Sequence, residues 1–114
     1  MQQQVQAEVL AASQAWITVF NQGDLRTIVN AYTKDASMHP RPNPMCIGLQ
    51  DIEEFWSHLL STCACKLVYS NIRLEVVGDN RVRLSAHWTM NIAAGFITNE
   101  LWVKQETGQW QIQQ

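Results

Sequence analysis

The sequence predicts an α+β domain in which three N-terminal helices pack in the concave face of a strongly curved, mainly antiparallel sheet, a conical α+β barrel. Three observations predict it. Apolar residues recur at spacings of three and four as far as Leu60, the period changes to two from Lys66 onward, and tight-turn signals separate the alternating stretches. Helices that precede an antiparallel meander must share one face of its sheet. Long strands twist and curl around what they cover, which leaves a cone whose mouth side chains need not fill.

Val5, Val9, Ala12, Trp16, Val19 and Phe20 mark one face of the first helix, with Gln6, Glu8, Ser13 and Gln14 between them. It stops at Asn21-Gln22-Gly23-Asp24, where Gly23 suits a left-handed C-terminal cap and Asp24 can cap the next helix. Leu25, Ile28, Val29 and Tyr32 repeat at helical spacing and predict a second helix ending near Lys34-Asp35. Ala36 to His39 reads as a short extended piece, after which Pro40, Pro42 and Pro44 forbid regular structure. Gly48 opens a third helix with Asp51, Glu53 and Glu54 in its first turns, where the macrodipole favours carboxylates. Its apolar face is Ile52, Phe55, Trp56, Leu59 and Leu60. Leu67 to Val77 is a long strand, and Gly78-Asp79-Asn80 is a hairpin signal. Val82, Leu84, Ala86, Trp88, Met90 and Ile92 then alternate with polar partners up to a turn at Ala93-Ala94-Gly95. Phe96 to Lys104 is a third long strand, Glu106-Thr107-Gly108 a turn, and Gln109 to Gln113 a final short strand.

The 114 residues suffice for one domain, 1–114, and bury enough surface for a core without staples. With 46% hydrophobic and 16% charged residues the chain is not of the disordered class. The net charge of −2 and scattered Lys and Arg argue against a nucleic-acid partner. No apolar run has the length of a membrane span, and Met1-Gln2-Gln3-Gln4 lacks the basic start of a secretory signal, so no membrane role is expected. The three cysteines cannot all pair, and no second Cys/His pair completes a metal site around Cys63 and Cys65. Reduced, inert thiols in a reducing cytoplasm are the expectation, with no metal. The serine-hydrolase, phosphate-loop, zinc-protease and dinucleotide motifs are missing, and no cofactor is expected.

Four segments and the chain's ending carry a family resemblance. Trp16-Ile17-Thr18-Val19-Phe20-Asn21-Gln22-Gly23-Asp24, Tyr32-Thr33-Lys34-Asp35-Ala36, Pro44-Met45-Cys46-Ile47-Gly48 and Ile52-Glu53-Glu54-Phe55-Trp56 resemble, in that order, the SnoaL-like members of the nuclear-transport-factor-two-like superfamily. Glu106-Thr107-Gly108-Gln109-Trp110-Gln111-Ile112 is similar to that family's last hairpin, so the match spans nearly the whole chain. Members usually run further than Gln114, which makes closure of the cone by the last strand a point to examine. The resemblance implies a conical fold, a homodimer through the outer sheet face and a pocket used for steroid isomerisation, polyketide cyclisation, epoxide hydrolysis, dehydration or plain binding. Fold alone does not choose among these.

Set against the ketosteroid isomerases of that superfamily, the phenol place on the first helix holds Trp16, and the base place holds His39 and Pro40. The acid place falls on Ile97 with Asn99 the nearest polar neighbour, and a second phenol place holds Trp56. Steroid isomerisation is therefore not expected. His39 is left as a candidate acid–base residue, since imidazole titrates near neutrality, or else as a half-solvated loop residue. Asn99 would polarise a substrate carbonyl if it pointed inward, or else sits on the outer face. Trp16, Trp56 and Trp88 fall on inward stripes, and with Tyr32, Phe55 and Met90 they either line a hollow or fill it. Trp102 and Trp110 suit a core or a subunit interface. His58 and His87 read as outward, Arg81 and Arg83 with Glu75 as cross-strand charges, and Asp24 and Asp35 as turn formers. Apolar residues on both faces of the first long strand (Leu67, Tyr69 and Val77 against Val68, Ile72 and Val76) favour a homodimer. Two functions stay open. One is a pocket protein for an apolar or aromatic small molecule, acting on it by acid–base catalysis of the isomerase, cyclase or hydrolase type; the other is a non-catalytic dimeric accessory module with a closed pocket.

Overall fold

A computed structural model describes residues 2–40 and 44–114, so that Pro42 of the proline-rich loop lies outside the described residues. The first helix, α1 (Gln2–Gln22), buries Val9, Trp16 and Phe20 on the predicted stripe, and also Ser13, expected between the stripe residues, whose hydroxyl donates to the Leu10 carbonyl at 2.8 Å. It ends in a Schellman motif: Gly23, at φ +75°, donates to the Phe20 carbonyl at 2.9 Å, and Asp24 donates to Val19 at 3.1 Å. Asp24 then caps α2 (Leu25–Asn30), accepting from the Thr27 N–H at 3.3 Å and its hydroxyl at 2.6 Å.

Helix α2 stops at Asn30, earlier than the Leu25–Tyr32 spacing predicts. The far end of the chain takes over its backbone. The Ile112 N–H donates to the Ala31 carbonyl at 2.7 Å and the Thr33 N–H to the Ile112 carbonyl at 2.9 Å, so Tyr32 forms a one-residue parallel bridge instead of a helical turn. After it, β1 (Ser37–Met38) pairs antiparallel with β2 (Cys46–Ile47), an element too short to show any alternation in sequence. Helix α3 (Gly48–Ser61) starts from Gly48 at φ +85°, and Asp51 reaches back to accept the Ile47 N–H at 3.0 Å.

Four strands, β3 (Val68–Gly78), β4 (Arg81–Thr89), β5 (Ala94–Lys104) and β6 (Trp110–Ile112), form one antiparallel sheet in chain order. Helix α1 packs against β3, β4 and β6 of this sheet, α2 packs between α1 and α3, and α3 also covers the β1–β2 ribbon. The β4–β5 turn comes slightly earlier than expected, with Met90 donating to Ala93 at 2.9 Å, and Ile92 is exposed at the tip. The last strand does close on its neighbours. Trp102 pairs with Ile112, Gln113 donates to Leu101 at 2.8 Å, and the opposite edge of β6 holds Tyr32.

Three register shifts break the strict alternation; one leaves Val77 unpaired beside the β3–β4 hairpin, and the other two are bulges at the middle of the sheet. In β3 the extra residue lies between Ser70 and Arg73, with Asn71 at φ +51°, and in β5 two residues, Thr98 and Asn99, oppose Ser85 alone. Tyr69, Ile72, Leu74 and Val76 consequently share the concave face, while Val68 and Val77 are exposed on the convex one. The sequence grouping of Leu67, Tyr69 and Val77 against Val68, Ile72 and Val76 is thus redistributed by the shift of phase. Trp102 and Trp110 are buried within this chain rather than held for an interface. Among the described residues no helix is long and apolar enough to cross a membrane.

Asn21 fastens the start of the sheet to α1, since its amide donates to the Leu67 carbonyl at 3.2 Å and accepts the Leu67 N–H at 2.7 Å. Replacing Asn21 by Ala strands both backbone groups in a partly buried place, and chemical denaturation should read a loss of about 2 kcal/mol.

Candidate functional site

Aromatic rings of α1 and α3 pack against one another. Trp16 stacks on Phe20 with centroids 5.7 Å apart, and Trp56 meets Trp16, Phe20 and Phe55 edge-on at 5.2, 5.6 and 5.0 Å. Edge-to-face contacts of this kind satisfy the ring quadrupoles. Trp16 is core: it is buried, and its indole N–H donates to the Ile28 carbonyl at 3.3 Å. Trp56 and Phe55 are only half-buried, and the Trp56 N–H donates to the Tyr32 hydroxyl at 3.2 Å. That hydroxyl in turn lies 3.7 Å from the Met38 sulfur. Burial, and then the charge of Glu100, raise the Tyr32 pKa, so the phenol stays neutral.

Glu100 is the residue that sequence reasoning missed. Counting in twos from Ile97 along β5 leads to Asn99, but the bulge inserts one residue and delivers Glu100 to the concave face. Its partner across the ladder is the buried Leu84, and its Oε1 accepts the Trp102 indole N–H at 2.8 Å. Burial pushes this carboxyl up to about 7, against the opposing pull of the Trp102 hydrogen bond. The carboxyl is enclosed by protein while the residue keeps some contact with solvent. Tyr69, half-buried on β3, has its pKa raised by burial and then by the charges of Glu100 and Tyr32, so these three groups lie within electrostatic reach of one another. A signal for this site did exist. Ile97 and Trp102 are both inward-type residues an odd number of positions apart, which no unbroken strand can place on one face.

Trp88 and Met90 continue the concave row of β4, half-buried where Val82, Leu84 and Ala86 are buried. Asn99 sits on the convex face, exposed, where its amide oxygen accepts the Arg83 Nε at 2.8 Å and Arg83 also pairs with Glu75 at 3.0 Å. His39 is exposed directly after β1, and His58 is exposed on α3. His87 lies outward, 3.3 Å from the Asn71 amide and edge-on to Phe96 at 4.7 Å. Asp35 accepts the Thr33 hydroxyl at 2.8 Å. The three thiols are free, and Asn91 ties the Cys63–Cys65 loop to the β4–β5 turn through the Cys65 N–H at 2.8 Å and the Cys63 carbonyl at 2.9 Å. Among the described residues no three His, Cys, Asp or Glu side chains gather as a metal site would require. Two outer grooves, of about 390 Å³ beside the Gly78–Arg81 turn and about 350 Å³ between Leu25 and His58, are separate from the Glu100 cluster.

Residues 13–110 match the model of the SnoaL-like domain family. Among curated proteins none matches the chain. Among solved structures the chain is similar to Aln2 from a Streptomyces species, with a TM-score of 0.81 and 13% identity over 96% of this chain and 86% of that one. It is also similar to a ketosteroid isomerase-like protein from Erwinia carotovora atroseptica, with a TM-score of 0.71 and 21% identity over 94% and 89%. A third is a protein from Catenulispora acidiphila solved in complex with S-DNPA, with a TM-score of 0.75 and 11% identity over 94% and 87%. At these identities the likeness is one of fold.

The raised carboxyl gives stability a definite pH dependence. Between the ordinary glutamate value of 4.5 and about 7, the folded chain holds a proton that the unfolded chain has released. Folding stability is therefore full below that window and falls as pH rises through it, by up to about 3 kcal/mol. Thermal denaturation of Glu100→Gln should show this fall removed, with the variant gaining on the parent at pH 8 relative to pH 4.5.

Proposed function

Because the chain belongs to the SnoaL-like domain family, we propose that its cone binds an apolar or aromatic carbonyl compound and that Glu100 moves a proton on it. The observation that carries this reading is a carboxyl on the concave sheet face, enclosed by protein and pushed up to about 7 by burial, within electrostatic reach of two phenols that burial keeps neutral. A group that titrates near neutrality can both take and return a proton at working pH. Tyr32 and Tyr69 supply hydroxyl donors for the carbonyl oxygen, whose charge grows as the adjacent carbon loses its proton, and a water-poor site strengthens those bonds. Isomerisation and aldol-type cyclisation both require such a transfer, whereas in a hydrolase the same carboxyl would take its proton from the attacking water. His39 and Asn99 lie outside this set, the first exposed after β1 and the second bonded to Arg83 on the convex face. The reading therefore assigns the proton to Glu100. One fold neighbour solved in complex with S-DNPA supports a binding role for this architecture.

We further read residues 1–114 as one such domain, working as a homodimer in the cytoplasm. Phe96 and Val68, with 70% and 59% of their surface exposed, lie toward one end of the convex sheet face and Val77, 40% exposed, toward the other, and this apolar exposure favours self-association. Three free thiols suit a reducing compartment. A second reading, an accessory dimer with a shut cone, is favoured by the mutual packing of Trp16, Phe20, Phe55 and Trp56.

The two are separated with 2-tetralone, an aryl-fused ketone with exchangeable protons beside its carbonyl. The catalytic reading expects the protein to raise its own melting temperature with this ligand and to accelerate deuterium uptake in heavy water, followed by NMR. Glu100→Gln should keep the thermal shift and lose at least about a hundredfold of the exchange rate, with His39→Ala unchanged. A ligand that neither shifts nor exchanges favours the shut cone. Sedimentation should show a species of twice the 13.0 kDa chain mass, and Phe96→Asp should return it to the single-chain mass.

A further inference from the structure

The concave row of β4 loses burial toward the β4–β5 hairpin: Val82, Leu84 and Ala86 are buried, and Trp88 is half-buried. The ladder neighbours of Trp88 are Tyr69 on β3 and Gly95 on β5. Its indole leans over β5 and lies against the Gly95 backbone. A Cβ placed at Gly95 would stand 2.7 Å from Trp88 Cζ2, 2.9 Å from Cε2 and 3.1 Å from Nε1, closer than side chains tolerate. Gly95 is not among the glycines with positive φ, so the backbone does not call for glycine there. What requires it is the ring. An indole is a stiff plate with two rotatable bonds, and it cannot yield at one end as a lysine or methionine would. A side chain at Gly95 would push the whole plate away from the β5 backbone, over the concave face.

We propose that Gly95 is a specificity-determining residue of the ligand site: by recessing the Trp88 indole into the sheet, it keeps a slot open for a fused two-ring aromatic. This rests on the reading of the cone as the ligand site. Gly95 touches no ligand and acts through Trp88, so its effect is on the size of ligand admitted. A single-ring compound avoids the lifted indole, and a two-ring compound does not.

The test compares 2-naphthol with phenol, each titrated by calorimetry against the intact chain. Gly95→Ala should weaken 2-naphthol about tenfold while leaving phenol within about twofold, the discrimination that small steric changes in an apolar pocket bring about. Adding Trp88→Phe to Gly95→Ala should restore the two-ring ligand, because the smaller ring clears the new methyl group. Equal losses for both ligands, no loss for either, or no restoration by Trp88→Phe would overturn the role of Gly95. Failure of the parent protein to bind either compound would overturn the ligand-site reading and this inference with it, whereas parental binding with unaltered selectivity in Gly95→Ala sinks the inference alone.

Discussion

Two bulges lie side by side across the middle of β4, and they decide which face of the sheet carries Glu100. The β3 bulge opposes Ala86, between the pairs Ser70–His87 and Arg73–Ser85, and the β5 bulge opposes Ser85, between Ala86–Ile97 and Leu84–Glu100. Each extra residue bends its strand and increases the local twist. Two of them at one level of a four-stranded sheet make a crease through three neighbouring strands. Beyond the crease, residues that simple alternation would send outward point in. Glu100 and Trp102 reach the concave face this way on β5, as Ile72, Leu74 and Val76 do on β3 alongside Tyr69. A sheet without the crease would be flatter and would carry its one inward carboxyl on the wrong side.

Two glutamates show that environment, and not the hydrogen bond, decides the proton affinity. Glu8 and Glu100 each accept a tryptophan indole N–H at 2.8 Å, from Trp110 and Trp102 respectively. Glu8 also has Lys104 at 3.4 Å and open solvent, and its pKa is lowered, first by the Trp110 bond. Glu100 has the same kind of donor but no cation, and burial outweighs the bond. One indole N–H is too weak a compensation for removing a carboxylate from water. Glu8 therefore works as a staple between α1 and the last hairpin, and Glu100 as a titrating group.

Most of the fold was legible because its signals are local. The stripe from Val9 to Phe20, the Gly23-Asp24 junction and the Gly78-Asp79-Asn80 hairpin each declare themselves within a few residues, and the aromatic pairing of Trp16 with Trp56 follows from two helical stripes. The candidate site was less legible, and the reason is parity. Asn99 was nominated as the nearest polar neighbour of Ile97, while alternation backward from Trp102 leads to Glu100. Both anchors were inward, and an odd separation between two inward anchors is itself the mark of a bulge. The same arithmetic applies to Tyr69 and Ile72, where Asn71, a residue tolerant of positive φ, supplies the left-handed turn.

Tyr32 escapes local reading for a different reason. By spacing it belongs to a helix, and it leaves that helix because Ile112, eighty positions later, pairs with the backbone on either side of it. The bridge sets the phenol where the Trp56 indole can donate to it, and Trp56 is itself wedged among Trp16, Phe20 and Phe55. The hydroxyl is thus positioned by the last strand and by the third helix at once. Neither contact stabilises anything until the whole chain has closed, since bringing such distant segments together costs loop entropy that only the finished core offsets. The cluster is in this sense a product of closure: its carboxyl comes from the crease in β5 and its phenol from the docking of β6.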